Sequence, residues 1–207
     1  MKKILITTDF SENAWNSIFT AIKLYTEVDC HFYILHGFEP SPLNLMGSKN
    51  HQRLSVIYDS LSKNSKKELE EILTYFAINH KNLKHQFSTL SKPGNLEDAV
   101  ELAVNENDID ILIMGTQGAT GAKEVFLGSN TVKVLKKVTN IPILTVPTGY
   151  NFQSLKSVLF ATDFTVPYKK NGLEPIIELS KIWKSTIEIV HVSVEFILNE
   201  HQESNKE

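Results

Sequence analysis

The stretch IDILIMGTQGATGAKEVFLGSNTVKVL (residues 109–135) joins a continuous apolar run to a helical pattern through a loop that contains several glycines. Residues 109–115 are short and almost entirely apolar, which is typical of a strand covered on both faces of a sheet. Gly115 and Gly118 come at the end of that run, and Gly128 closes the loop. Because glycine adopts positive φ and lets other groups approach the backbone, this spacing predicts a loop that a ligand can reach.

The helix after this loop is predicted to span Ser129 to Lys137, with Ser129 as its N-cap. The unpaired N–H groups and the positive dipole end of a helix N-terminus favour a bound phosphate. We expect the hydroxyls of Ser129 and Thr131 to add donors there. The loop is not a Walker A motif, since no Gly-Lys-Ser or Gly-Lys-Thr follows. Isolated glycines mostly mark turns, so the glycine spacing alone leaves a turn and a phosphate loop both open.

Strands and helices alternate over the first 148 residues. Apolar runs of strand length lie at 2–8, 30–38, 83–90, 109–115 and 141–147. Apolar residues at helical spacing predict helices between them, at 12–27, 51–80, about 96–104 and 129–137. Ser11 is the expected N-cap of the first helix, and LSKPGN (90–95) reads as a turn. Such alternation predicts an α/β fold with a mostly parallel sheet and helices on both faces.

Asp9 lies just beyond the carboxyl end of the first predicted strand, as Gly115 does for the fourth. If the strand order is 3-2-1-4-5, these two strands are neighbours at the point where the order reverses. Ligands of open α/β sheets bind in the crevice at that point. Residues 7–9 and 115–131 would then share one pocket. Periodicity does not fix the strand order, and the alternative role for Asp9 is to cap the first helix.

The beginning of the chain is repeated after residue 155. KSVLFATDFT (156–165) matches KKILITTDFS (2–11), and STIEIVHVSV (185–194) matches DCHFYILHGF (29–38). A repeat of this spacing indicates a duplicated domain. The second copy has no counterpart of residues 109–147. We therefore expect it to pack on the first domain or on a second chain, because a fragment of this size would leave bare strand edges.

The pattern Gly115-x2-Gly118-x9-Gly128-Ser129, together with KKILITTDFS at the N-terminus, resembles the ATP-binding class of the universal stress protein family. IPILTVP (141–147) is similar to the fifth strand of that family. The resemblance implies an open, Rossmann-like, five-stranded parallel sheet in the order 3-2-1-4-5. It further implies a tandem form: a complete domain at 1–148, a linker at 149–155 and a partial second repeat at 156–207.

The same resemblance implies an adenine nucleotide, ATP, in the crevice. The residues that it places at the adenine and ribose end are Thr7, Thr8, Asp9, Gly37, Met114 and Gly115. The residues that it places at the phosphates are Gln117, Gly118, Gly128, Ser129, Asn130 and Thr131. Asp9 would accept a hydrogen bond from the base. Two positions depart from the family: Thr7 stands where proline or alanine is common, and Gly37 stands where valine is common, which removes an apolar contact to the base.

Composition and charge narrow the function classes. The formal net charge is −3 and no basic face stands out, so we expect no nucleic-acid partner. No apolar run approaches the roughly 18 residues of a membrane-spanning helix, and the single cysteine fits a reducing compartment. We therefore expect a cytoplasmic protein with no membrane partner. The seven histidines lack metal-ligand spacing, so Mg²⁺ is expected only with ATP phosphates.

These observations predict an ATP-binding stress-response protein that acts as a nucleotide-dependent conformational or association module. The resemblance implies a homodimer that pairs through the fifth strand. One alternative is a slow ATPase or phosphotransferase, although no positioned base or charge-stabilising residue stands out, so at most weak ATP hydrolysis is expected. The other alternative is a nucleotide-free interaction protein that keeps the glycine loop for packing.

Overall fold

The structure is a computed structural model that describes residues 1–41, 51–116, 127–165, 168 and 170–191. The chain divides into two compact units, Met1–Phe152 and Gln153–Glu207. The boundary between the units falls inside the predicted linker.

The first unit is a five-stranded sheet with helices on both faces. Its strands are β1 (Lys2–Thr7), β2 (Cys30–Phe38), β3 (His85–Pro93), β4 (Ile111–Gly115) and β5 (Ile143–Val146). Its helices in the described residues are α1 (Glu12–Leu24), α2 (His51–Asn79), α3 (Leu96–Asn107) and α4 (Ser129–Lys137). Neighbouring strands are parallel, and the strand order is β3-β2-β1-β4-β5. The predicted sheet and its order are therefore confirmed.

The central strands are apolar throughout because both of their faces are covered. Ile4, Leu5 and Ile6 of β1 have no exposed surface, and alternate side chains of a strand point to opposite faces. Leu5 belongs to a core layer with Val100 of α3 and Val134 of α4. Ile4 and Ile6 face the other side of the sheet, the side on which α1 and α2 lie. Burial on both faces agrees with the position of β1, which is the middle strand of the sheet and lies next to β4.

Two of the helices of the first unit begin at a side-chain cap, and α4 does not. Ser11 Oγ accepts a hydrogen bond from Ala14 N at 3.3 Å, and Asn95 Oδ1 accepts one from Asp98 N at 2.9 Å. The N-cap of α4 is Gly128, which makes no side-chain cap bond. The prediction that Ser129 caps this helix is therefore wrong, since Ser129 is already its first helical residue.

The end of β3 also differs from the prediction. Residues 90–95 were expected to form a turn, yet β3 continues to Pro93, which pairs with Phe38. β3 is an edge strand, so the missing N–H of Pro93 costs no ladder hydrogen bond. Gly94, with φ +110°, then ends the strand, and its N–H donates to the Phe38 carbonyl at 2.8 Å. This longer strand leads the chain into α3 beside the end of β2.

The described part of the second unit repeats the first β-α-β segment. β6 (Ser157–Ala161) and β7 (Thr186–Val190) are parallel, and α5 (Lys170–Trp183) connects them in sequence. The register Ala161↔Val190 corresponds to Thr7↔Leu35 in the first unit. The described part of the second unit therefore resembles the start of the first unit in structure as well as in sequence. Among the described helices of both units, none is long and apolar enough to cross a membrane.

Candidate functional site

A crevice opens at the carboxyl ends of β1, β2 and β4. The residues that line it are Thr7, Thr8, Asp9, Ala14, His36, Gly37, Leu96, Met114, Gly115, Asn130 and Thr131. The lining therefore includes predicted site residues at the end of β1, at the end of β4 and at the start of α4, and the first group lies about one hundred residues before the other two in the chain. Gly128 and Ser129 precede this lining on α4, while Gln117 and Gly118 lie outside the described residues.

The turn after β1 fixes the position of Asp9 at the rim of the crevice. Thr8 N donates to the Leu35 carbonyl at 2.8 Å, and Thr8 Oγ1 accepts from Phe10 N at 3.0 Å. Phe10 has φ 65°, a left-handed conformation that bulky residues rarely adopt. Asp9 Oδ1 accepts from the N–H and the hydroxyl of Ser11, at 3.1 and 2.5 Å. Asp9 thus supports the cap of α1 while its exposed side chain lines the crevice.

The second unit repeats this turn almost bond for bond. Asp163 Oδ1 accepts from the N–H and the hydroxyl of Thr165, at 3.0 and 2.8 Å, and Phe164 has φ 55°. The hydrogen bond from the Thr165 N–H is the main reason that the pKa of the Asp163 carboxyl lies below its usual value. The Thr-Asp-Phe-Ser/Thr sequence therefore builds this turn locally in both units. The turn alone does not identify a ligand site, and its pairing with α4 is what distinguishes Asp9.

The two ends of the glycine loop are held together at the carboxyl end of β4. Gly128 N donates to the Thr116 carbonyl at 2.6 Å. Thr131 is only 3% exposed, and its hydroxyl donates to the carbonyls of Gly115 at 3.1 Å and Thr116 at 3.3 Å. The sequence predicted this hydroxyl as a donor to a ligand, but its hydrogen is directed to the backbone. Thr131 thus anchors the start of α4 against β4, and exposed Asn130 stands beside it.

Ion pairs join α4 to α3 on the outside of the molecule. Lys133 Nζ lies 3.8 Å from Glu97 Oε1, and Lys137 Nζ pairs with Asp98 and, at 3.1 Å, with Glu101. The hydrogen bond from Lys137 lowers the pKa of the Asp98 carboxyl, although both side chains are exposed. Exposed pairs add little stability one by one. Their common effect is to hold α4 against the first half of α3.

Gly37 explains how α3 comes so close to β2. A Cβ added to Gly37 would lie 3.4 Å from both the Ala99 Cβ and the Leu96 Cα. A distance of 3.4 Å is the short limit of ordinary van der Waals contact. A side chain larger than that of alanine would therefore collide with the first turn of α3. The glycine that departs from the family pattern therefore allows Leu96 to form one wall of the crevice.

Sequence reasoning missed His36, Ala14 and Leu96 as lining residues. The available signal for His36 was the repeat, in which His191 lies near the place of His36. The two histidines each contact the phenylalanine of the preceding turn: the Phe10 and His36 ring centroids are 4.5 Å apart, and those of Phe164 and His191 are 5.2 Å apart. Burial lowers the pKa of His36, and the charge of Asp9 partly opposes this shift.

No cluster of three or more His, Cys, Asp or Glu residues that could hold a metal ion occurs within the described ranges. The residues that line the crevice are instead neutral except for Asp9 and the titratable His36. Such a lining can supply hydrogen bonds and apolar contacts to a small organic ligand.

Comparisons with known proteins agree with this fold. The chain is 29% identical over 170 residues to universal stress protein MJ0577 of Methanocaldococcus jannaschii, covering 70% of this chain and 94% of the relative. The solved structure of MJ0577 superposes with a TM-score of 0.59 at 26% identity, over 72% of this chain and 98% of that one.

A universal stress protein from Archaeoglobus fulgidus is similar over a longer range. Its structure gives a TM-score of 0.64 at 21% identity, covering 95% of this chain and 68% of the other, so the similarity of fold extends into the second unit. The model of the Universal stress protein family matches residues 1–147, which is most of the chain. The chain therefore belongs to the universal stress protein family.

Proposed function

We propose that this chain binds an adenine nucleotide, ATP, in the crevice of its first unit. The observation that carries the proposal is that Asp9 and the start of α4 line one crevice, although they come from distant parts of the chain. One end of this crevice offers a carboxylate, and the other offers a helix N-terminus. That arrangement suits a ligand with an amino-bearing base at one end and phosphates at the other.

The phosphate end of the proposed site is the first turn of α4. Its N-cap residue is Gly128, which has no side chain to bond the helix, so the first N–H groups are available to a ligand. In the proposal, Gly128, Ser129, Asn130 and Thr131 hold the β- and γ-phosphates, with Gln117 and Gly118 nearby. The positive end of the helix dipole adds to the attraction for negative charge. Mg²⁺ would accompany the phosphates rather than bind to protein side chains alone.

The base and ribose end of the proposed site lies between β1, β2 and β4. Thr7, Thr8 and Met114 are buried and provide a compact wall, while Asp9 at the rim would accept a hydrogen bond from the base. Gly37 would lie beside the base, and Met114 and Gly115 would flank the ribose. Because Gly37 and Gly115 carry no side chain, a flat ring could approach the backbone there.

The proposed role is that of a nucleotide-dependent conformational or association module. β5 is an edge strand that pairs only with β4 in the described sheet. An exposed strand edge can pair with a second chain, and we propose that homodimers form there. We also propose the domain division given by the repeat: a stress protein domain at 1–148, a linker at 149–155 and a partial second copy at 156–207.

Calorimetry with ATP, combined with light scattering after gel filtration, tests the proposal. The expected results are one ATP site in each chain and a change in association state on ATP binding. Absence of heat on ATP addition, with no shift of the melting temperature, would contradict nucleotide binding. An association state that ATP leaves unchanged would contradict the module role without affecting the binding claim.

A further inference from the structure

His36 lies in the crevice with one ring nitrogen held and the other available. It is a residue of β2 and lines the crevice beside Gly37. Its Nδ1 lies 2.8 Å from Ser65 Oγ, which is the one hydrogen bond that its ring makes within the described residues. The opposite atom, Nε2, is therefore the polar atom of this side chain that a ligand in the crevice can engage.

The partner of Nδ1 belongs to a short chain of hydroxyl groups. Ser65 Oγ lies 2.7 Å from Ser91 Oγ, and Ser91 is the register partner of His36 on β3. Ser65 is only 2% exposed, so solvent does not compete for its hydroxyl. Three elements, β2, α2 and β3, thus contribute to a hydrogen-bonded row that ends at His36 and fixes the orientation of its ring.

This row is compatible with two tautomers of neutral His36, because each hydroxyl can donate in either direction. When Nδ1 carries the proton, His36 donates to Ser65, Ser65 donates to Ser91, and Nε2 presents a lone pair. When Nε2 carries the proton, Ser91 donates to Ser65, Ser65 donates to Nδ1, and Nε2 presents a donor. Both arrangements keep the same number of hydrogen bonds. The site can therefore offer an acceptor or a donor at one point without losing an internal contact.

We propose that Nε2 of His36 hydrogen-bonds the 6-substituent of a bound purine, with Ser65 and Ser91 as positioning residues that hold the ring in place in either tautomer. The inference depends on the proposed nucleotide site and adds a contact that the site residues predicted from the sequence do not include. The 6-amino group of adenine needs an acceptor and selects the Nδ1–H tautomer. The 6-oxo group of hypoxanthine needs a donor and selects the Nε2–H tautomer.

The test uses the full chain labelled with ¹⁵N-histidine, with ATP and inosine triphosphate as probes. Long-range ¹H–¹⁵N spectra distinguish the two tautomers of each histidine. The expected result is that ATP moves His36 to the Nδ1–H form and inosine triphosphate moves it to the Nε2–H form. His36→Ala should weaken ATP binding about tenfold, the effect of losing one well-placed hydrogen bond in a buried site.

His31 and Ser88 provide a matched control. They form a similar pair between β2 and β3, with His31 Nε2 at 2.8 Å from Ser88 Oγ, and neither lines the crevice. His31→Ala should leave ATP affinity within about twofold of the wild type, and the His31 resonances should not respond to nucleotide. Ser65→Ala should weaken the binding of both nucleotides, because the His36 ring loses the hydrogen bond that fixes its orientation, whereas Ser88→Ala should leave both affinities unchanged.

Two outcomes separate this inference from the proposed function. If ATP binds and the His36 tautomer is the same with both nucleotides, the inference is overturned and the nucleotide site stands. If neither nucleotide produces heat on titration into the wild-type protein, the proposed function fails and the inference fails with it. A His36→Ala variant with wild-type ATP affinity would also overturn the inference, whatever the His36 resonances of the wild-type protein show.

Discussion

Gly115 and Asn13 lie so close together that no side chain fits between them. A Cβ placed on Gly115 would lie 2.4 Å from Asn13 Nδ2 and 3.1 Å from Asn13 Cγ. Asn13 is buried in the first turn of α1, directly after the turn that holds Asp9. The end of β4 and the start of α1 therefore meet in a contact in which a Cβ at position 115 would displace the Asn13 amide. This approach brings the Asp9 turn and the start of α4 to one crevice.

Gly115→Ala should destabilise the first unit and weaken ATP binding. The added methyl group displaces the buried Asn13 side chain, and overpacking of this kind costs about 1–3 kcal/mol of unfolding free energy. Urea unfolding measures the loss. Gly172→Ala is the matched control, because no heavy atom lies within 4 Å of a Cβ at that position. A Gly115→Ala protein as stable as the wild type would show that the close approach of Asn13 does not restrict the residue at position 115.

Gly128→Asp should stabilise the protein slightly and at the same time abolish ATP binding. Gly128 has φ −64° and ψ 156°, the extended conformation that an aspartate N-cap also adopts. The new carboxylate would cap α4 and raise the unfolding free energy by a few tenths of a kcal/mol. It would also place negative charge where phosphate is proposed to bind, so ATP affinity should be lost. Thermal unfolding and calorimetry of the same preparation measure both effects.

Asn95→Asp is the control for this substitution, since it changes the cap of α3 and leaves α4 intact. It should preserve ATP affinity. If Gly128→Asp binds ATP as well as the wild type does, the phosphates do not lie at the start of α4.

Asp9→Ala and Asp163→Ala remove equivalent carboxylates from the two units, so each variant is a control for the other. Each carboxylate supports the same turn through the following Ser11 or Thr165, so both variants should lower the melting temperature. Only Asp9→Ala should weaken ATP binding, because only Asp9 faces the start of α4 across a crevice in the described residues. Calorimetry of the two variants side by side makes the comparison. Equal losses of ATP affinity would contradict the proposed role of Asp9.

The sequence was enough to predict the sheet, because each of its strands has a clear physical signature. The apolar run 109–115 needed cover on both faces, and alternation with helices required parallel strands. The strand order came from the family resemblance, and the structure confirms it. Residues 90–95 were misjudged because Pro93 usually ends a strand; here the unused N–H side of an edge strand accommodates it.

The candidate site was harder to predict at the level of single atoms. The sequence shows that Thr131 carries a hydroxyl, but its direction depends on the carbonyls of Gly115 and Thr116, which only the fold brings within 3.3 Å. His36 was overlooked for a similar reason. Its importance depends on the buried Ser65, which is 29 residues away in sequence and adjacent only in the folded unit.

A partly buried histidine pair makes stability depend on pH. His85 Nε2 donates to the Tyr25 carbonyl at 3.1 Å, so its Nδ1 accepts from His80 Nε2 at 2.9 Å. Burial lowers the pKa of both rings below the ordinary value of 6.5. The unfolded chain therefore takes up protons that the folded chain excludes, and stability should fall as the pH drops below 6.5 toward the lowered values.

Urea unfolding between pH 8 and pH 5 measures this dependence. His80→Gln keeps a donor for His85 Nδ1 and removes one titrating ring, so its stability should decline less steeply with falling pH. A decline as steep as that of the wild type would assign the pH dependence to other groups.

The central claim is that one nucleotide spans the crevice from the Asp9 turn to the start of α4. Titration of ¹⁵N-labelled protein with ATP, followed by backbone amide resonances, tests it directly. The account predicts that Thr8, Asp9, Asn130 and Thr131 shift together with a single dissociation constant, while Thr162 and Asp163 of the second unit do not move. Shifts confined to one of the two ends, or equal shifts at Asp9 and Asp163, would contradict it.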